Sequence, residues 1–296
     1  MEQKIDLMII GAQKAGTTAL NNYLSEHHQL LGHPQTEFGY FIGDELYSES
    51  FDKVFSMHFT KGDIGKAKAI VAKSTGVYEN ETAIHRLYQH NPECKLVFLI
   101  REPVSRAISS FNMEVFNGLV KENISGLKEI ILKKNFDHYM YRYFIRLGLY
   151  SEHLKNVFKF FRSDQVKIIL YENFKENPES VCKELFRWLD VNPEFVPQLE
   201  KKHNVSAKPV SKKISKILLY LRRNEKLKNV FKTFLPYWLF TKIGNFLIDL
   251  NRSSAKPSPI SNEIKAFLKE YFHQYNDELI KMTDLDLSLW GHKSIK

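Results

Sequence analysis

The chain has 296 residues, 43% of them hydrophobic, enough to bury a sizeable core. Its net charge of +9 suits a polyanionic ligand, but the 43 lysines and arginines run throughout the sequence and single out no partner. Two cysteines exclude a disulfide framework and a four-cysteine zinc site, the histidines show no ligand spacing, so no metal is expected, and no apolar run is long enough for a membrane span.

The first predicted element is a strand over residues 5–10, whose apolar run Leu7-Met8-Ile9-Ile10 suits burial on both faces. Gly11-Ala12-Gln13-Lys14-Ala15-Gly16 then reads as a tight loop, with Thr17 and Thr18 as caps of a helix running through Leu20, Tyr23 and Leu24. Strand, small-residue loop and helix N-terminus together make a cradle for phosphate, to which Lys14 adds a full charge. The Gly11-to-Gly16 spacing matches the start of the nucleoside-triphosphate loop G-x-x-x-x-G-K-[ST], but Thr17 stands where that loop has its lysine. A triphosphate carrying Mg²⁺ needs that lysine and an acidic metal partner, whereas a nucleotide phosphosulfate carries less charge and can be held without metal.

Further strands are predicted near residues 69–73, 95–101 and 166–171, separated by helical patterns, which argues for an α/β fold with a mainly parallel sheet. The apolar run Lys95 to Ile100 closes on Arg101-Glu102-Pro103, and Pro103 suits a first helical turn, so Arg101 belongs at the strand's carboxyl end. Arg101 can grip a phosphate with a two-pronged contact, and Ser109, two helical turns on, adds a hydroxyl. Two separate phosphates outline an adenosine 3′,5′-bisphosphate scaffold.

From about 120 to 162, Leu127, Ile130, Ile131, Tyr139, Tyr143, Leu147, Leu154, Val157 and Phe158 recur at helical spacing and read as core stripes, with Tyr139, Arg142 and Arg146 also candidates to line an acceptor cleft. A helix is predicted after Asn177-Pro178-Glu179, through Val181, Leu185, Phe186, Trp188 and Leu189. Residues 199–260 read as a lid or helical subdomain within one domain spanning 1–296; its stretch 214–250 mixes Lys and Arg with Leu, Phe, Tyr and Trp238, a combination compatible with an anionic membrane surface. A terminal helix is expected from Ser261 through Ile264, Phe267, Leu268, Tyr271 and Tyr275. With the first strand close to Met1, no signal peptide is expected; two cysteines fit a reducing, cytoplasmic setting, to which the stretch 214–250 adds peripheral contact at the inner membrane as an expectation.

Gln13-Lys14-Ala15-Gly16-Thr17-Thr18-Ala19-Leu20 resembles the 5′-phosphosulfate loop of sulfotransferases that use 3′-phosphoadenosine 5′-phosphosulfate (PAPS), and Arg101-Glu102-Pro103-Val104-Ser105-Arg106-Ala107-Ile108-Ser109-Ser110-Phe111 resembles their 3′-phosphate motif. Gln35-Thr36-Glu37-Phe38-Gly39-Tyr40-Phe41, Ala72-Lys73-Ser74-Thr75-Gly76, Leu170-Tyr171-Glu172-Asn173-Phe174 and Asp284-Leu285-Asp286-Leu287-Ser288-Leu289-Trp290 extend the likeness to bacterial members and to the heparan-sulfate-type carbohydrate enzymes. The resemblance implies a P-loop-like, mainly parallel sheet flanked by helices, with a helical C-terminal lobe. It implies PAPS as donor, adenosine 3′,5′-bisphosphate (PAP) as product, and a saccharide or other hydroxyl-bearing acceptor, with no nucleic-acid partner. By the same likeness Gln13, Lys14, Ala15, Gly16, Thr17, Thr18 and Ala19 hold the 5′-phosphosulfate, Arg101 and Ser109 the 3′-phosphate, and Lys208 and Lys212 belong to a loop covering the nucleotide. Glu37 falls at the general base and Lys73 beside the reacting groups. Thr36 departs from the lysine that many bacterial relatives carry before the glutamate, and His33 keeps open the histidine base of small-molecule sulfotransferases.

Two other readings stay open. The phosphate loop also suits a nucleotide or metabolite kinase, which the displaced lysine opposes, and the basic composition suits a non-catalytic RNA- or membrane-binding protein.

Overall fold

A computed structural model describes residues 3–33, 37–59, 65, 67–116, 119–120, 123–199, 208–209, 252–253 and 260–291. In chain order these form β1 (Leu7–Gly11), α1 (Thr17–Ser25), β2 (Leu30–Leu31), α2 (Asp44–Tyr47), α3 (Phe51–Ser56), β3 (Ala69–Lys73), α4 (Glu81–His90), β4 (Lys95–Ile100), α5 (Pro103–Phe116) and α6 (Gly126–Leu132). After them come α7 (Tyr150–Val157), β5 (Val166–Leu170), α8 (Tyr171–Glu176), α9 (Pro178–Trp188), the short strands β6 (Lys208–Pro209) and β7 (Arg252–Ser253), and α10 (Asn262–Thr283).

The chain divides into two compact units. The first, residues 1–106, 145–203 and 269–296, holds a five-stranded sheet in the order β2-β3-β1-β4-β5, with every neighbouring pair parallel. β1 sits at the centre and is wholly buried, as its unbroken apolar run requires when helices cover both faces. From β1 the chain first makes the edge strand β2, returns inward to β3, and then crosses over to β4 and β5 on the other side, so the order reverses beside β1. Open α/β sheets bind ligands outside the carboxyl ends of their strands at such a point. The second unit, residues 107–144 and 204–268, is tied by the Lys128–Glu263 ion pair at 2.7 Å, by Lys128 over the Phe267 ring and by the Phe111–Phe144 ring contact. It also contains the antiparallel β6–β7 ladder.

The four predicted strands form within two residues of their expected ends, and β2, two residues long, is too short to leave a periodic signal. The helical stripe expected over 120–162 is broken. Lys134 takes a left-handed φ of 53° just past α6, a π-turn covers Tyr141–Ile145 and a 3-10 turn Arg146–Gly148 before α7 begins. Leu127, Ile131, Leu147, Leu154 and Val157 are buried as expected, but Tyr143 is 56% exposed, a consequence of the interrupted winding. α9 starts as predicted, with the Asn177 side chain accepting the Ser180 N–H at 3.0 Å. In α10 the buried face runs through Ile264, Leu268, Phe272 and Leu279, leaving Tyr271 and Tyr275 half-buried at its margin. No helix among the described residues is long and apolar enough to cross a membrane.

Candidate active site

β1 delivers the chain into the loop Ala12–Gly16. At Gly11 an added Cβ would lie 2.5 Å from the Tyr78 ring, so only glycine lets the strand end there. The Ala12 N–H donates to the Leu99 carbonyl at 2.5 Å and fastens the loop to β4, while Ala15 N–H turns back to the Ala12 carbonyl at 3.2 Å. Lys14 and Gly16 both have left-handed backbones, φ 72° and 89°, and such alternation aims successive N–H groups into one concavity that favours an anion. Gly16 is the N-cap of α1. This corrects the expectation that Thr17 and Thr18 cap the helix: both lie inside its first turn, because the left-handed cap position and the Tyr171 ring, 3.1 Å from any Cβ at Gly16, admit only glycine. Gln13, Lys14, Gly16, Thr18 and Ala19 are half-buried, Ala15 and Thr17 buried.

The adjacent strand β3 ends on Lys73, whose side chain is 6% exposed. Its ammonium reaches the Glu37 carboxylate at 2.8 Å and the Thr18 hydroxyl at 3.3 Å, so one cation joins the predicted base to the phosphate loop. The segment carrying Glu37 is docked on β3 through the Phe38 N–H, which donates to the Lys73 carbonyl at 2.7 Å. Thr75 completes the grip: its N–H donates to Glu37 Oε2 at 2.7 Å and its hydroxyl to Oε1 at 3.4 Å. Three donors fix the direction of a carboxylate that is 46% exposed. His33, the other candidate base, is buried among Phe38, His58 and Phe59, and its Nε2 accepts the Lys73 backbone N–H at 3.2 Å.

β4 ends beside Arg101, as Pro103 at the start of α5 foretells. The Arg101 guanidinium donates to the Lys14 carbonyl at 3.3 Å and lies over the Tyr171 ring, 4.8 Å from its centroid. The Tyr150 hydroxyl donates to the Arg101 carbonyl at 2.8 Å, and burial holds the Tyr150 phenol far above its usual ionisation range, so it stays a donor. The N-terminus of α5 is already occupied: Glu102 accepts from the N–H groups of Val104 at 3.0 Å and Ser105 at 2.7 Å. An anion here therefore meets Arg101 itself, not the end of a helix dipole. Below it, Glu172 accepts from the Glu102 N–H at 3.3 Å and from the Trp290 indole at 2.9 Å, joining three of the segments that carry the family resemblance.

Lys14, Lys73, Glu37 and Arg101 thus lie along the carboxyl ends of β1, β3 and β4. Ser109 is half-buried on α5, in the part assigned to the second unit. Lys208 is in β6, with its side chain outside the described residues, and Lys212 lies outside them altogether. Sequence reading gives no role to Thr75 or Tyr171, although each follows the end of a parallel strand, the same signal that marks Arg101.

The sulfotransferase domain family matches residues 4–226. Curated relatives include the membrane-associated sulfotransferase kil1 of Dictyostelium discoideum, 24% identical over 76% of this chain and 64% of its own length. Another is the heparan sulfate glucosamine 3-O-sulfotransferase 5 of Mus musculus, 26% identical over 65% of this chain and 55% of its own. A bifunctional heparan sulfate N-deacetylase/N-sulfotransferase of Drosophila melanogaster is 27% identical over 63% of this chain but 20% of its own length. The chain therefore spans less than two thirds of these relatives. Among solved structures, a sulfotransferase from Alicyclobacillus acidocaldarius shares the fold with a TM-score of 0.67 at 21% identity, covering 98% of this chain and all of that one. With three quarters of its length matched by that domain, on a parallel sheet whose strand ends carry both phosphate motifs, the chain belongs to the sulfotransferase domain family.

Proposed function

We infer that the chain transfers a sulfuryl group from PAPS to a hydroxyl of a carbohydrate or glycolipid, with Glu37 as general base. The observation that carries this reading is the Glu37–Lys73–Thr18 chain of contacts, which joins a carboxylate to a phosphate loop through one buried ammonium. The residues fit the donor. The left-handed loop with Lys14 suits the 5′-phosphosulfate, and Gln13, Ala15, Gly16, Thr17, Thr18 and Ala19 supply its backbone and hydroxyl donors. Arg101 suits the 3′-phosphate, to which the motif also assigns Ser109, and the resemblance assigns Lys208 and Lys212 to a loop that covers the nucleotide. In transfer, the acceptor oxygen bonds to sulfur as the bond from sulfur to the phosphate oxygen breaks, the acceptor proton passes to Glu37, and PAP leaves. Lys14 and Lys73 offset the charge that builds on the departing phosphate, and such preorganised electrostatic stabilisation often contributes more to the rate than any other single effect.

The buried position of His33, with Nε2 occupied by the Lys73 N–H, favours Glu37 over a histidine base. A kinase is disfavoured because β3 and β4 run into Lys73 and Arg101, where a Mg²⁺ site needs a carboxylate. The saccharide acceptor is supported by relatives named for heparan sulfate, and peripheral membrane contact of a cytoplasmic protein by the relative named membrane-associated. Flotation with anionic liposomes tests the latter, and protein left at the bottom of the gradient removes it. The reading as a whole is tested by calorimetric titration with PAP in the absence of metal, followed by transfer of ³⁵S from labelled PAPS to a saccharide panel. A folded protein that binds no PAP overturns it.

A further inference from the structure

Arg101 is placed to do more than meet a 3′-phosphate. Its Nη1 donates to the carbonyl of Lys14 at 3.3 Å, so it touches the backbone of the residue that carries the loop's positive charge. Lys14 holds a left-handed φ of 72°, a conformation that a lysine adopts only when its surroundings impose it. The Arg101 guanidinium is itself oriented by the Tyr171 ring, with Cζ 4.8 Å from the centroid, and that same ring packs against the Gly16 position at the other end of the loop. The Arg101 backbone is fixed in turn, its N–H donating to the Tyr150 hydroxyl at 3.4 Å while that hydroxyl donates to its carbonyl. Guanidinium has five donors in a rigid plane, so one can hold Lys14 while the others face an anion; an ammonium has no such fork.

We propose that Arg101 is a positioning residue for the phosphate loop, a strut that pins Lys14 in its left-handed conformation and so sets affinity for the 5′-phosphosulfate even in a ligand without a 3′-phosphate. The proposal rests on the donor reading above. It makes the two phosphate sites interdependent: the group that recognises the 3′-phosphate also shapes the cradle for the 5′ end.

The test compares PAP with adenosine 5′-phosphosulfate, which lacks the 3′-phosphate, by calorimetry on the native protein and on Arg101→Leu and Arg101→Lys, with melting curves to establish folding. Both variants are expected to weaken adenosine 5′-phosphosulfate by about tenfold, the worth of one charge-assisted hydrogen bond, while Arg101→Lys recovers part of the affinity for PAP through its charge. Variants that lose PAP yet match the native protein on adenosine 5′-phosphosulfate overturn the strut and leave the donor reading intact. So does recovery of adenosine 5′-phosphosulfate affinity in Arg101→Lys, since charge without the fork would then suffice. A native protein that binds neither ligand overturns the donor reading. Where adenosine 5′-phosphosulfate binds too weakly to measure, tryptic cleavage after Lys14 in the ligand-free protein decides: it is expected to quicken several-fold in both variants, and an unchanged rate overturns the proposal.

Discussion

The two ends of the central sheet put polar side chains to opposite uses. At the amino ends, polar side chains close on backbone. Asp6 accepts the Ile70 N–H at 2.7 Å, His90 accepts the Ile5 N–H, Asn91 donates to the Ile5 carbonyl, and Gln165 donates to Pro92 and Cys94. Each bond satisfies a group that burial would otherwise leave costly. At the carboxyl ends, Lys14, Lys73 and Arg101 stand at three neighbouring strand ends, with Glu37 held between Lys73 and Thr75 while Glu102 and Glu172 are turned to backbone N–H groups. Backbone N–H groups and cationic side chains at these strand ends offer donors to an anion, so one end stabilises the fold and the other is suited to a ligand.

Substitutions at one end that leave the other untouched should separate binding and transfer from stability. Glu37→Gln keeps an acceptor for Lys73 and Thr75 but removes the base; transfer from PAPS is expected to fall by about 10²- to 10⁴-fold while PAP affinity and melting temperature stay near native. Loss of PAP binding in that variant ends the assignment of Glu37 as base. Lys14→Ala and Arg101→Ala are each expected to weaken PAP by roughly 10- to 100-fold in calorimetry, as removal of a charged hydrogen-bond donor does. At the opposite end, Asp6→Ala leaves the Ile70 N–H without its acceptor and is expected to lower unfolding free energy by about 1–3 kcal/mol in urea titrations, with PAP affinity unchanged. A parallel drop in PAP affinity would mean that the two ends are not separable.

The smallest effect sharpens the same contrast through pH. Burial raises the Asp6 carboxyl above its ordinary 3.8, against the lowering effects of the Ile70 hydrogen bond and of Lys4 and Lys95. A raised folded value means that the contribution of Asp6 to stability is present below 3.8 and is lost as pH rises through the folded value. Asp6→Asn keeps an acceptor without the charge, so its stability relative to native should climb through that interval in denaturant titrations at successive pH values. A difference that does not vary with pH removes the role given to burial.

The parts legible in the sequence are those with local causes. The apolar runs at Leu7–Ile10 and Lys95–Ile100 predict buried parallel strands, and glycines 11 and 16 with Pro103 mark where each strand turns to helix. Position at a strand end also selects Arg101, and the phosphate loop selects Lys14, whereas Lys73 and Glu37 come only from the family resemblance. The missed features depend on distant partners. Thr75 matters because Glu37, 38 residues earlier, folds back onto it, and Tyr171 because its ring meets both Gly16 and Arg101. The threonines after Gly16 look like caps until the φ of 89° shows glycine in that place. The interrupted winding between α6 and α7 carries apolar residues at helical spacing, so periodicity alone does not reveal it.

Two of the three tryptophans fall at opposite ends of this sheet. Trp188 has the Lys95 and Lys167 ammoniums 5.4 and 5.2 Å from its ring, at the starts of β4 and β5, whereas the Trp290 indole is bonded to Glu172, whose other oxygen holds the backbone next to Arg101. In optical terms the protein carries its own emitter near the proposed donor site and an internal reference far from it. Nucleotide titrations can then be followed by the emission of Trp290 in a Trp188→Phe/Trp238→Phe background, with no label and no acceptor in hand.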